Sequence, residues 1–171
     1  MTGFTIRPEQ PGDLAAIRAV NASAFGRSAE ADAIEALRQR GQAVISLVAV
    51  QDEIVVGHLL FSPVILAAAS GAFPGLGLAP LAVSPGFQRC GIGTQLTQTG
   101  IDACRKIGCE FVAVLGDPRY YSRFGFERAS RYGLRCEWDV PLDAFQVLAL
   151  RPGVLDDHTG VIKYQPEWDG V

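Results

Sequence analysis

The chain has 171 residues and a net charge of −3, with 49% hydrophobic and 19% charged residues, a mixture that supports a packed core and excludes intrinsic disorder. It contains no dense run of Lys and Arg, so we expect no nucleic-acid partner. The most apolar stretch, 54–69, is interrupted by Gly57 and Pro63 and falls short of the roughly 20 residues that span a bilayer, so no membrane span is predicted.

Hydrophobic spacing and turn residues predict the elements of the first half. In chain order these are a strand at 4–7, a helix opening at 11–13, a helix at 28–40, and strands at 43–50 and 54–61 joined by a polar turn at 51–53. Asp13 suits the positive end of the first helix, and Leu14, Ile17 and Val20 have the spacing of one buried helix face. Ser28 is predicted to cap the second helix.

The second half is predicted to alternate strands and helices. The predicted elements are a Gly- and Pro-rich turn at 70–77, a strand at 78–83, a loop at 84–90, a helix at 91–107, a strand at 111–115, a short helix from 118 to about 124, and strand-like pieces at 133–135, 145–150 and 161–164. The order predicts a mixed α/β or α+β sheet with helices on its faces. We expect a single domain over 1–171, with a core at about 4–150 and a C-terminal extension at about 151–171.

The metal-ligating residue types are few and widely spaced. They are Cys90, Cys104, Cys109, Cys136, His58 and His158, without a CxxC pair. A structural zinc site needs paired soft ligands at short spacing, so no metal site is predicted. The N-terminal residues MTGFTIRPEQ lack the apolar block of a signal peptide, so we expect a soluble, cytoplasmic protein with reduced thiols.

The stretch Leu81–Thr94, LAVSPGFQRCGIGT, carries the strongest functional pattern. It predicts a strand, a loop and then Gly-x-Gly at the start of a helix. Gly91 and Gly93 leave the backbone accessible to a ligand. The unpaired N–H groups of residues 89–94 and the helix dipole predict an anion site. A strand-to-helix turn that merely requires glycine remains the alternative interpretation.

Two better-known glycine motifs do not match this stretch. A P-loop requires Lys followed by Ser or Thr after its second glycine, whereas Thr94 follows Gly93 directly. A dinucleotide-binding fingerprint requires a third glycine at the position of Leu96.

The sequence here resembles the GNAT N-acetyltransferase superfamily, in its bacterial type. The family's pyrophosphate motif is Gln/Arg-x-x-Gly-x-Gly/Ala after a strand, and Gln88, Gly91 and Gly93 match it. The segment 120–126, YYSRFGF, is similar to the family's aromatic-Tyr-x-x-x-Gly-Phe segment, and the hairpin 48–58 is similar to its second and third strands. Two motifs about thirty residues apart in the right order are far more specific than either one.

The resemblance covers 4–126 and is loose after Trp138. It implies a mixed, mostly antiparallel central sheet with helices on both faces. In the family this sheet is splayed between the fourth and fifth strands, here 78–83 and 111–115. The implied activity is transfer of an acetyl group from acetyl-CoA to an amine, by direct attack in a ternary complex.

The resemblance also implies the residues of the site. Those that bind the cofactor would be Leu81, Ala82, Val83, Gln88, Arg89, Cys90, Gly91, Ile92, Gly93 and Thr94. In the family a Tyr in the short helix protonates the departing thiolate, and Tyr121 occupies that position. Packing in the core is the competing interpretation of Tyr121 and the preferred one for Tyr120, Phe124 and Phe126.

One feature departs from the family. Many members carry a Glu on the fourth strand as a base, and 78–83 has no carboxylate. Glu30 is the nearest candidate, although a solvated helix glutamate is the favoured interpretation, and His58 is expected to be a packed histidine. The missing carboxylate keeps a non-catalytic acyl-CoA sensor open as an alternative, with an interaction domain without cofactor as a third. The acceptor, a small-molecule or peptide amine, and a homodimer are left open.

Overall fold

The structure is a computed structural model that describes residues 3–171. Its helices are α1 (Leu14–Phe25), α2 (Ala29–Gln39), α3 (Ile92–Lys106) and α4 (Pro118–Tyr121). Its strands are β1 (Thr5–Pro8), β2 (Ile45–Gln51), β3 (Ile54–Ala68), β4 (Gly71–Val83), β5 (Phe111–Leu115), β6 (Glu127–Arg128), β7 (Leu134–Cys136), β8 (Phe145–Ala149) and β9 (Gly160–Lys163). No helix within the described residues is long and apolar enough to cross a membrane.

The described residues form two compact units, and β3, β4 and α3 each contribute residues to both. The first unit comprises residues 3–61, 80–103 and 166–171, and the second comprises 62–79 and 104–165. This division into units does not test the prediction of a single domain, because it does not show whether either unit folds alone. That prediction therefore stays a prediction.

The first unit contains an antiparallel sheet in which β2 pairs with both β1 and β3. Ile6 lies opposite Ala49, and Val48 lies opposite His58. The β2–β3 turn is tight because Asp52 and Glu53 both adopt a positive φ, 51° and 62°. Such a pair of left-handed residues matches the twist of a two-residue hairpin, so the hairpin predicted here is confirmed.

Helices cover both faces of this sheet. Successive strand residues point to opposite faces, and Gly57 and His58 are such neighbours. His58 meets Asn21 of α1, with their side-chain nitrogen atoms 3.1 Å apart. A Cβ atom added at Gly57 would lie 3.0 Å from both Ile92 and Leu96 of α3. The predicted arrangement of helices on both faces is therefore confirmed in this unit.

The second unit mixes parallel and antiparallel pairs. Strand β5 runs parallel to β4 and antiparallel to β8, which also pairs with β6. Strand β9 pairs antiparallel with the end of β3 and parallel with β7. The β4–β5 pairing ends at Leu78 and Val114, whereas β4 continues to Val83. The predicted fold class, a mixed and mostly antiparallel sheet, is confirmed, and the end of the β4–β5 pairing agrees with the predicted splay between the fourth and fifth strands.

The turn predicted at 70–77 is wrong, because β4 already begins at Gly71. Gly75 and Gly77 lie inside this strand, where aromatic rings occupy the place of their missing side chains. A Cβ atom at Gly75 would lie 2.4 Å from the ring of Phe111, and one at Gly77 would lie 2.7 Å from the ring of Tyr164. These glycines permit close packing and do not mark a turn.

Two details of the helices also differ from expectation. Ile17 and Val20 are buried as predicted, but Leu14 is 39% exposed and lies off the buried face of α1. Ser28 precedes α2 without capping it by its side chain, because its hydroxyl donates to the carboxylate of Asp32 instead. A hydroxyl that is engaged by a side chain does not satisfy the N–H groups of the first turn.

Candidate functional site

The loop between β4 and α3 is shaped by two left-handed residues. A 3₁₀ turn at Pro85–Phe87 leads to Gln88, whose side-chain amide donates to the carbonyl of Val83 at 3.1 Å. Arg89 and Gly91 then adopt a positive φ, 61° and 88°. A left-handed conformation is costly for a residue with a Cβ atom and clusters at functional sites, so Arg89 marks this loop as a candidate site.

Gly91 is the residue from which α3 starts. Its carbonyl accepts the helical hydrogen bond from the N–H of Gln95 at 3.0 Å. A Cβ atom added at Gly91 would meet nothing within 4 Å, so backbone conformation, and not crowding, requires glycine there. Ile92 and Gly93 follow in the first turn, where N–H groups lack intrahelical acceptors and face the positive end of the helix dipole. The exposed stretch 88–91 leaves this end open to a ligand.

The start of α3 is held against the sheet by apolar contacts. Ile92 and Leu96 are 1% and 0% exposed, and both lie over Gly57. Thr97 adds a hydrogen bond from its hydroxyl to the carbonyl of Gly93 at 2.8 Å. The position of the loop therefore depends on the absence of a side chain at Gly57.

All ten residues predicted to bind the cofactor lie in the first unit, on one continuous segment. At the end of β4, Ala82 is buried, whereas Leu81 and Val83 are half-buried. Gln88, Arg89 and Cys90 are exposed in the loop, and Ile92 is the buried anchor of the helix.

Tyr121 lies in the second unit, at the end of α4. Asp117 caps this short helix by accepting a hydrogen bond from the main-chain N–H of Arg119 at 2.9 Å. A Cβ atom added at Gly116 would lie 2.6 Å from the ring of Tyr121, so glycine gives this ring its place. The ring also meets those of Tyr120 and Phe126 edge to face.

Burial governs the acidity of Tyr121. Its side chain is buried, and this loss of solvation raises the pKa of the phenol well above its usual value, with a smaller contribution from Tyr120. The hydroxyl therefore stays protonated throughout the neutral range and can donate a proton or a hydrogen bond. Aromatic packing and a protonated hydroxyl coexist at this residue, so the packing interpretation does not exclude the catalytic one.

Comparison with known proteins assigns the family. The family model described as acetyltransferase (GNAT) domain matches residues 5–129. An Escherichia coli K12 protein named "uncharacterized N-acetyltransferase YhbS" is 38% identical over 165 residues, which are 96% of this chain and 98% of that protein. The chain belongs to the GNAT acetyltransferase family. The predicted resemblance and the predicted enzyme class, an acyltransferase, are thereby confirmed.

Solved GNAT structures agree with this assignment. The crystal structure of YhbS from Escherichia coli in complex with CoA has a TM-score of 0.92 and 37% identity, covering 99% of this chain and 93% of that one. A GNAT acetyltransferase from Brucella melitensis in complex with acetyl-CoA has a TM-score of 0.81 and 34% identity, covering 98% and 99%.

The prediction that Glu30 is a solvated helix residue is wrong for this GNAT protein. Its side chain is buried and pairs with the guanidinium of Arg27 through two hydrogen bonds of 3.0 and 2.7 Å. Such a bidentate pair occupies both oxygen atoms of the carboxylate. The three-residue spacing of Arg27 and Glu30 was the signal in the sequence that could have indicated this ion pair, but it could not indicate that Glu30 is buried.

His58 is packed, as expected, and belongs to a buried polar chain. The amide nitrogen of Asn21 donates to the carbonyl of Ile17 at 2.9 Å, which fixes the amide so that it also donates to Nδ1 of His58. The ring then carries its proton on Nε2, which lies 2.9 Å from the hydroxyl of Ser46, and this hydroxyl donates to the carboxylate of Glu9. Burial lowers the pKa of His58 to about 4.

Tyr164 is a buried polar residue that the sequence pattern did not single out. Its ring lies against Gly77 and stacks on Trp138 with centroids 5.0 Å apart. Its hydroxyl is buried and lacks a hydrogen-bond partner within residues 3–171. Burial is the main reason why the pKa of this phenol is raised. Among the described residues, no three His, Cys, Asp or Glu side chains are grouped to hold a metal ion.

Proposed function

We propose that this GNAT protein transfers the acetyl group of acetyl-CoA to an amine by direct attack in a ternary complex. The observation that carries the proposal is the left-handed loop that opens onto the first turn of α3. The CoA and acetyl-CoA complexes of the two related structures support the choice of acyl donor. We further propose that the protein acts in the cytoplasm.

The loop residues fit a pyrophosphate. Gly91 has open space above its Cα atom, and Gly93, which also lacks a side chain, follows in the first turn of α3. The N–H groups of this turn and the helix dipole favour an anion, and the fifteen-residue α3 supplies the full dipole. The exposed Arg89 adds a positive charge beside them. We assign to Gln88, Cys90 and Thr94 the remaining contacts of this anion site.

The end of β4 fits the amide groups of an extended ligand. Beyond Leu78 the strand has left its parallel partner β5, and it continues to Val83. Main-chain groups of residues 81–83 are therefore assigned to pair with the amides of the pantetheine arm, in the manner of a strand added to a sheet edge. A main-chain N–H of this segment is also a suitable oxyanion donor.

The reaction moves two protons. As the nitrogen–carbon bond forms and the carbon–sulfur bond breaks, the amine loses a proton and the sulfur gains one. We assign the second transfer to the hydroxyl of Tyr121, which burial keeps protonated. Residues 78–83 carry no carboxylate, and Glu30 is engaged by Arg27, so we assign deprotonation of the amine to water or a main-chain carbonyl.

The anion site is tested by a substitution that adds bulk without demanding a left-handed backbone. Gly93 lies within α3, whereas any side chain at Gly91 would be strained at φ 88°. We expect Gly93→Val to weaken CoA binding strongly in calorimetry while the protein stays folded. Gly86→Val is the matched control, because a Cβ atom at Gly86 meets nothing within 4 Å. Unchanged CoA affinity in a folded Gly93→Val protein would refute the anion site.

The proton donor is tested by removing one oxygen atom. Tyr121→Phe keeps the ring and its edge-to-face contacts, so the melting temperature and CoA affinity should stay near those of the wild type. The rate of thiol release from acetyl-CoA, measured with a panel of amines, should fall by about 10²- to 10⁴-fold. Tyr120→Phe is the control and should be nearly silent. Full turnover of Tyr121→Phe with chemistry rate-limiting would exclude Tyr121 as the acid.

The amine panel also decides between transfer and sensing. Small-molecule amines, polyamines and peptide N-termini form its three groups. Tight CoA binding, with no thiol release for any of the three groups, would favour the non-catalytic sensor. Release with one group identifies the class of acceptor.

A further inference from the structure

Two cysteines meet where α3 ends, outside the segment assigned to the acyl donor. Cys104 lies in the last turn of α3, and Cys109 follows the reversal of the chain at Gly108, which has a φ of 80°. The N–H of Cys109 donates to the carbonyl of Cys104 at 3.0 Å, and that of Gly108 donates to Arg105 at 3.1 Å. The thiol groups of the two cysteines interact, and the thiol of Cys109 also donates to the carbonyl of Phe111 at 3.1 Å. The turn therefore brings the two cysteine side chains close to each other.

The backbone geometry is compatible with a bond between them. A disulfide joins residues whose Cα atoms are about 4.4–6.8 Å apart. The 3.0 Å main-chain hydrogen bond between Cys104 and Cys109 keeps the two residues close together, as such a bond requires. Both cysteines are free thiols.

The two thiols differ in access and acidity. Cys104 is 0% exposed, whereas Cys109 is half-buried and reaches solvent. The pKa of Cys109 is lowered by the hydrogen bond from Cys104 and by main-chain groups of Phe111 and Leu76, which together outweigh the effect of burial. The same contact with Cys109, together with burial, raises the pKa of Cys104. Because Cys109 reaches solvent and Cys104 does not, Cys109 is the thiol that meets an oxidant first, and Cys104 is the resolving thiol.

We propose that Cys104 and Cys109 form a redox site that hydrogen peroxide converts into a reversible disulfide. The sulfur of Cys109 attacks one oxygen of the peroxide, the O–O bond breaks, and the released hydroxide leaves as water after protonation. Cys109 is then a sulfenic acid. The sulfur of Cys104 attacks it, the S–S bond forms, the S–O bond breaks, and Cys104's proton leaves with the hydroxide as a second water. The thiols lose two electrons, the peroxide gains two, and a dithiol reductant reverses the step.

This site goes beyond the proposed acetyl transfer and does not depend on it. A covalent bond here would tie the C-terminal end of α3 to the segment that enters β5. The contrasting interpretation is that the two thiols only pack against each other at the helix end. The two interpretations differ in the number of free thiols that remain after mild oxidation.

The test uses the full chain, reduced and then treated with hydrogen peroxide. Thiol titration should fall from four per chain to two, and dithiothreitol should restore four. Trypsin cleaves after Arg105 and Lys106, so non-reducing mass spectrometry should find the peptides 90–105 and 107–119 joined. Because Cys90 lies on the first of these peptides, Cys90→Ser should keep the link. Cys136→Ser should keep it as well.

Two further variants assign the roles without relying on one buried substitution. Cys104→Ala should leave Cys109 as a sulfenic acid that dimedone traps, and Cys109→Ala should leave Cys104 reduced under the same treatment. If a variant does not fold, the disulfide-linked peptides of the oxidised wild-type protein still test the proposal. Four titratable thiols after peroxide, or a loss of thiols located at Cys90 and Cys136, would overturn the proposal.

Discussion

Acidification should lower the stability of the protein because of His58, at pH values above those at which the Asp and Glu side chains become protonated. Burial lowers the pKa of this histidine in the folded state to about 4, against 6.5 when it is solvated. Glu9 raises the pKa and Arg38 lowers it, but both effects are smaller than that of burial. Between these two pH values the unfolded chain binds a proton at His58 that the folded chain does not bind. The free energy of unfolding therefore falls as the pH falls through this window.

The magnitude follows from the two pKa values. The full interval from 6.5 to about 4, at about 1.36 kcal/mol per pH unit, corresponds to about 3 kcal/mol. The part that lies between pH 7 and pH 5 is about 2 kcal/mol. This upper part of the window is informative because unperturbed carboxyl groups titrate mainly below it. A loss of about 2 kcal/mol is a large fraction of the stability of an ordinary domain.

Urea denaturation at pH 7, 6 and 5 measures this loss. The variant His58→Gln keeps a polar side chain in the buried chain of hydrogen bonds but does not titrate, so its stability should change much less over the same range. His158→Gln is the control and should retain the wild-type slope. If wild type and His58→Gln lose the same stability between pH 7 and pH 5, the argument from burial of His58 is wrong.

Three further substitutions or treatments test separate parts of the structure. Gly57→Ala places a Cβ atom 3.0 Å from Ile92, so it should lower the free energy of unfolding by about 1–3 kcal/mol and weaken CoA binding. Gly12→Ala is the control and should do neither, because its Cβ atom would meet nothing within 4 Å. Tyr164→Phe removes a buried hydroxyl that lacks a partner within the described residues, so urea denaturation should find the variant about 1 kcal/mol more stable than the wild type. Saturating CoA should slow alkylation of the exposed Cys90 more than that of Cys136; equal protection in mass spectrometry would contradict the assignment of the loop.

Local patterns were sufficient for much of the fold. The β2–β3 hairpin, α3 and β5 follow from the alternation of apolar residues, a polar turn and flanking glycines. In the structure β3 starts at Ile54, α3 comprises residues 92–106 and β5 comprises residues 111–115. Such elements are encoded by residues within a few positions of one another. The same local character made the loop before α3 recognisable, because an anion site at a helix start needs only consecutive N–H groups and small residues.

Tertiary structure decided what depends on distant residues. Gly75 and Gly77 lie in a strand because rings from β5 and from beyond β9 cover them, and neither ring is near them in the sequence. Glu30 is buried although its helix pattern is that of a surface residue. The hydroxyl of Tyr164 likewise loses water only through packing.

The sequence by itself determined the family, the order of the main elements and the segment that we assign to the acyl donor. It could not determine which polar groups lose their water, because burial is a sum over neighbours that the chain brings together from far apart. The lowered pKa of His58, the raised pKa of Tyr121 and the occupied carboxylate of Glu30 all follow from that burial or from the partners it selects. Chemistry that depends on solvation is therefore read from the packed structure, whereas chemistry that depends on consecutive backbone groups is read from the sequence.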